Sequence, residues 1–186
     1  MRYYAKFVSL WRSLYICVQT HPPMSYNSAQ IANFFIKKSH STGIELTPMK
    51  LIKMAYIAHG WHLGLYDTEL LDEVIYAWKY GPVITSMYYA FRDYGDGQID
   101  RLYSSPNKTP YPDEAIIPFL EKIWDLFKNY DGIQLSSMTH QPGSPWYKVW
   151  NEMGGKDKKD VTIPNDIIKE FYKNRIQQVG NLNPNP

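Results

Sequence analysis

Two histidines, His59 and His62, stand three residues apart, so on a helix their imidazoles share one face within reach of a single metal ion. The zinc-hydrolase pattern needs histidines four apart with a glutamate beside the first, and here Gly60 and Trp61 occupy the gap. His140 would join them only through folding, and no acid of the same helix completes a ligand set. Ser136, Ser137 and Thr139 come just before His140 and carry the atoms of a nucleophile and a base. Neighbours along a chain rarely take triad geometry, and hydroxyls at these positions read better as helix caps. Asp93 and Asp96 flank Gly95 in what reads as a helix-ending turn. No Gly-rich phosphate loop and no Gly-x-Ser-x-Gly elbow occurs. The main reading is a non-catalytic protein that uses no cofactor and no metal. A small metal- or histidine-dependent hydrolase is the alternative.

His59 and His62 lie in a helix that opens with Thr47 as N-cap and Pro48 in its first position. Its apolar stripe, Leu51, Met54, Ala55, Ala58, Trp61 and Leu65, is widened by Ile52, Tyr56, Ile57 and Leu63, which predicts a central, mostly buried helix. Gly60 and Gly64 let another backbone come close. The stretch Ala77-Trp78-Lys79-Tyr80-Gly81-Pro82-Val83 reads as a strand–turn–helix joint. Alternation over Val74–Trp78 predicts a strand, Gly81 supplies the reversal, and Pro82 reads as a first helical residue. Gln98–Tyr103 is the expected partner strand. A helix after Asn27 or Ser28 holds Ile31, Phe34 and Phe35 inward. Another spans about Glu114 to Tyr130, with Pro118 in its first turn and Gly132 as a left-handed terminator. A short helix over Leu135–His140, a restart at Ser144-Pro145 and a last helix over about Asn165 to Gln178 complete the set. Ser104–Pro112 and Lys156–Asp160 read as loops, and residues 179–186 as a disordered tail. The expected fold class is mainly α with a small two-stranded antiparallel β element, in a single compact domain over residues 24–178.

Residues 1–23 carry Arg2, Lys6 and Arg12 and no acid, while the remainder holds 17 basic against 18 acidic side chains. The body therefore has no basic excess to drive phosphate contacts, and direct nucleic-acid binding is not expected. The only cysteine, Cys17, also lies in that first segment, so no intramolecular disulfide forms and a reducing cytoplasm is the simplest compartment. No apolar run approaches the length of a bilayer span, and no membrane partner is expected. Met24 follows Pro22-Pro23 directly, so residues 1–23 read as an extension outside the domain, with Met24 a natural start. The intact mass of the natively expressed protein tests this. The chain has 16 tyrosines and 6 tryptophans, which read either as a core and surface built from rings or as a surface that binds protein.

Thr47-Pro48-Met49-Lys50-Leu51-Ile52-Lys53, Tyr56-Ile57-Ala58-His59-Gly60-Trp61, Ala77-Trp78-Lys79-Tyr80-Gly81-Pro82-Val83, Tyr94-Gly95 and Thr139-His140 with Ser144-Pro145-Trp146 occur in that order. In these pieces the chain resembles the Panacea-domain family of SocA-like (or GepA-like) antitoxins, over about Ser28 to Tyr172. The resemblance implies an antitoxin that neutralises a cognate protein toxin by direct binding. Such proteins are encoded beside the toxin, often on prophages. It further implies, as an alternative, an adaptor that delivers the toxin to a AAA+ protease. The motif residues Trp61, Trp78, Gly81, Pro82 and Trp146 read mainly as structural, since large rings beside Gly and Pro suit a packed junction. Tyr80, Tyr88, Tyr89, Arg92 and Tyr94 are less explained by packing and are the expected partner-binding residues.

Overall fold

The computed structural model describes residues 25–104 and 111–182, with side chains up to residue 178. The expectations for residues 1–23, for Met24, for most of the Ser104–Pro112 loop and for the last four residues of the tail lie outside the described residues. The chain forms α1 (Ser28–Thr42), α2 (Pro48–Tyr66), β1 (Ile75–Trp78), β2 (Gly81–Ile84), α3 (Thr85–Phe91), α4 (Ile117–Phe127), α5 (Gly132–Thr139), the short α6 (Pro145–Tyr147) and α7 (Asn165–Leu182). It is mostly helical, with one two-stranded antiparallel sheet. Among the described residues no helix is long and apolar enough to cross a membrane.

Helix α2 runs through the middle of the molecule. The Thr47 side chain accepts from the Lys50 N–H, Pro48 occupies the first turn, and Asp67 ends the helix with φ 62°. Every residue from Lys50 to Gly64 is buried, because α1, α3, α4, α5, α7 and β2 all pack on it. The stripe predicted from the sequence is thus part of a helix apolar on all sides. Gly60 and Gly64 form the seat of α7. A Cβ at Gly60 would lie 2.0 Å from Tyr172 Cε2, and one at Gly64 would lie 2.8 Å from Tyr172 Cβ. The Tyr172 ring meets Trp61 edge to face, 5.2 Å between centroids.

Several polar side chains of this helix find partners inside the protein. Lys50 Nζ donates to the carbonyls of Glu45 (2.9 Å) and Lys128 (2.7 Å). His59 Nδ1 accepts the Leu71 N–H at 3.2 Å, which places its proton on Nε2, 3.0 Å from Asn165 Oδ1. His62 Nδ1 donates to Thr68 O at 2.8 Å, while Nε2 lies buried without a partner between the Tyr66 and Phe119 rings. Burial lowers the pKa of His59, and it pushes that of His62 down to about 4.

Several boundaries depart from the sequence expectation. Strand β1 pairs with β2, not with Gln98–Tyr103: Ile75 faces Ile84 and Trp78 faces Gly81. Pro82 is a strand residue, and the helix begins three residues later at Thr85. Ala77 turns its N–H away from β2 to Val161 O (2.7 Å), so its partner Pro82 sits where the β1–β2 ladder asks for no donor. β-branched Val83 and Ile84 then extend the strand. Residues 98–103 are held against α1 instead: Ile99 N–H bonds Leu46 O at 3.0 Å, and the Asn33 amide bonds both N–H and C=O of Tyr103. Gly132 does not terminate α4. It opens α5 behind an Asp131/Gln134 capping box, and its missing side chain leaves room for Met49, whose Cβ is 2.9 Å from the point where a Gly132 Cβ would stand. Helix α7 continues beyond Gln178 to Leu182, so the expected tail is helical in its first residues.

Two outcomes follow. Gly60→Ala forces a methyl into the Tyr172 ring and lowers stability by about 1–3 kcal/mol, read from the urea midpoint. His62 has a lower pKa folded than unfolded, so its contribution is complete above pH 6.5 and is lost as pH falls from 6.5 towards 4. The loss across that interval is roughly 3 kcal/mol for the wild type. His62→Asn keeps a donor for Thr68 O but cannot titrate, so urea midpoints measured at pH 7 and pH 4.5 fall less steeply in the variant. Parallel slopes would remove His62 as a cause.

Candidate functional site

The hairpin joining β1 to β2 has two loop residues, Lys79 and Tyr80, and closes at Gly81 with φ 104°. Only glycine takes that conformation without strain. Space forbids a side chain as well, since a Cβ would lie 2.8 Å from Lys53 Nζ and 2.9 Å from His140 Cε1.

Three donors from three helical elements grip the hairpin from behind. Trp146 Nε1, at the start of α6, donates to Trp78 O at 2.8 Å. Ser136 Oγ, on α5, donates to Tyr80 O at 3.1 Å. Lys53 Nζ, on α2, donates to Pro82 O at 3.0 Å. Each clamp is itself positioned. Ser144 caps α6 by accepting the Tyr147 N–H, and its hydroxyl donates to Thr139 O at 2.7 Å. His140 Nδ1 donates to Ser136 O at 2.6 Å, and its ring lies 3.9 Å from the Trp146 ring. Pro82, Gly81 and Trp146 are buried, and Trp61 is fully buried on α2.

In front of this backing the rings are exposed. Trp78 meets Tyr88 edge to face at 5.0 Å, Tyr88 meets Tyr89 at 5.4 Å, and the Arg92 guanidinium lies 5.5 Å over the Tyr89 ring. Tyr80 at the hairpin tip is 65% exposed and Tyr89 58%, with Lys79 Nζ 5.6 Å over the Tyr80 ring. Four of the five residues expected to bind a partner thus share the hairpin and the outer face of α3. The fifth, Tyr94, is half-buried and turned elsewhere, its hydroxyl bonded to Asp100 and its ring under Arg101. Trp78, read from the sequence as structural, contributes a half-exposed ring to the ladder. Lys53 and Ser136 were not legible as clamps. The one signal was a lysine set inside the apolar stripe between Ile52 and Met54.

The chemistry sought in the sequence meets committed atoms. Both ring nitrogens of His59 are occupied, and the Ser136 hydroxyl is directed at Tyr80 O while His140 Nδ1 is bonded to the Ser136 carbonyl. Among the described residues no group of three His, Cys, Asp or Glu is arranged to hold a metal. A cavity of about 20 Å³ between α2, α5 and α7, bordered by Tyr56, Trp61, Thr139, Ser144 and Tyr172, has room for about one water.

A family model described as Antitoxin SocA-like, Panacea domain matches residues 51–147. Antitoxin SocA of Caulobacter vibrioides is 25% identical over 169 residues, which cover 87% of this chain and 89% of that protein. No solved structure matches the chain. The matched segment contains α2 from Leu51 onward, the hairpin and all three of its clamps, and on that match the chain belongs to the SocA-like antitoxin family with a Panacea domain.

Proposed function

We propose that this chain is the antitoxin of a toxin–antitoxin pair, acting in the cytoplasm, and that it neutralises a cognate protein toxin by stoichiometric binding without catalysis. The observation that carries the reading is the ladder Trp78–Tyr88–Tyr89–Arg92 beside the Tyr80 tip, exposed on a backbone clamped from behind. Rings and an arginine concentrate binding energy when a partner covers them. A backbone already held in place loses little further entropy on binding. Tyr80, Tyr88, Tyr89 and Arg92 form the contact, and Tyr94, the fifth expected residue, lies apart from it. With no basic excess outside residues 1–23, the surface suits a protein better than a nucleic acid.

The test is co-expression of the full chain with the adjacent open reading frame, following growth and co-purification. Rescue from growth arrest together with a stable complex supports the reading, and arrest that the chain does not relieve counts against that pairing. On the purified complex, Tyr88→Ala and Tyr89→Ala are expected to weaken binding by about 2 kcal/mol each. An alanine scan that leaves affinity within about 1 kcal/mol at all five positions moves the interface elsewhere. Blotting for the toxin separates the two modes of neutralisation: an unchanged level marks sequestration, and a falling one marks delivery to a AAA+ protease.

A further inference from the structure

Lys53 is a buried amine with one partner. It is 2% exposed, and among the described residues its Nζ makes a single hydrogen bond, to Pro82 O at 3.0 Å. A neutral amine has two N–H bonds and fits such a site with modest loss. An ammonium has three and carries a charge that the surroundings must solvate. The neighbours do not supply that. From β2 the amine meets only backbone, the Pro82 carbonyl and Gly81. From α5 it meets His140, a second base, with both groups lying just under 3 Å from the point where a Gly81 Cβ would stand. On its own helix the nearest charged group is Lys50, already donating to Glu45 O and Lys128 O. Among the described residues no carboxylate compensates, and desolvation brings the Lys53 amine from 10.5 down to about 7.

The ways out of this site are unequal. Helix α2 is buried from Lys50 to Gly64, so the lysine cannot swing outward with its own helix. The hairpin is thin at this point, with Gly81 carrying no side chain and the preceding Lys79 and Tyr80 exposed. We infer that Lys53 is a proton-sensitive latch: uncharged, it holds the Gly81–Pro82 turn onto α2, and charged, it displaces that turn to reach water. The other two clamps, the Ser136 hydroxyl and the Trp146 indole, do not titrate in this range, so the displacement is confined to the β2 side of the loop and re-aims Tyr80. The sign follows from linkage. The latched state binds fewer protons than the open one, so it is favoured at high pH. It loses ground as pH falls from 10.5 towards 7, about tenfold in the opening equilibrium for each unit, and no further below 7.

The test is an NMR titration of the full-length protein from pH 6 to 10.5, following Lys53 Cε and the amides of Tyr80, Gly81 and Val83, in the wild type, Lys53→Met and His140→Asn. The expected result is a shared midpoint for Lys53 and the hairpin amides, above the latched value of about 7 and below 10.5, kept in His140→Asn and lost in Lys53→Met. If Lys53→Met does not fold, the wild type and His140→Asn decide alone. A Lys53 midpoint no lower than the free value of 10.5, hairpin amides that stay still while Lys53 titrates, or a hairpin midpoint that vanishes in His140→Asn would each overturn the latch.

Discussion

A helix with no solvent face must find a partner inside the protein for every polar atom it carries. Helix α2 meets that constraint for most of its polar groups by sending them to other segments, His62 Nε2 being an exception. Lys50 holds the end of α4, Lys53 the hairpin, His59 both the chain at Leu71 and the start of α7, and His62 the turn at Thr68. The burial that would make these groups destabilising if left alone makes each bond consequential, because breaking one strands a donor or acceptor in an apolar surrounding. The two histidines that resemble a metal pair in the sequence are spent in this way.

The exposed ring surface depends on the same arrangement at one remove. The hairpin is short, four residues per strand, and so small a sheet is not stable by itself. It becomes a fixed platform because α2, α5 and α6 each donate to one of its carbonyls. The ring ladder on α3 then registers against it through the contact of Trp78 with Tyr88. Rigid backbone behind and exposed rings in front arise from a single set of contacts.

Local signals were legible in the sequence. The Asn27/Gln30 capping box, Thr47-Pro48 and Ser144-Pro145 each place a helix start correctly, because a cap is made by residues within one turn of one another. Gly81 supplies the reversal as expected, but Pro82 is a strand residue, because Pro fits the first turn of a helix and an outward-facing strand position equally well. What decides between them is the pairing with Ala77 and the Val161 carbonyl, a contact 84 residues away in sequence. Gly132 was misread for a similar reason: its need for a missing side chain comes from Met49, not from a left-handed turn. The interface candidates on α3 could be selected because core packing did not account for them, whereas the clamps Lys53 and Ser136 act on distant carbonyls and leave no local pattern.

The small sheet has a further property. One side of β1 is taken by Val161–Ile163, through Ala77 N–H to Val161 O and Ile163 N–H to Ile75 O. On the outer side of β2, Pro82 has no N–H to offer and its carbonyl is taken by Lys53. Neither edge can accept another strand there, so recognition by main-chain pairing is closed off. At these two positions of the sheet only side chains are left to present to a partner. A scaffold of this kind can change what it recognises by exchanging a few rings and charges on the hairpin tip and α3, with the backbone beneath them untouched.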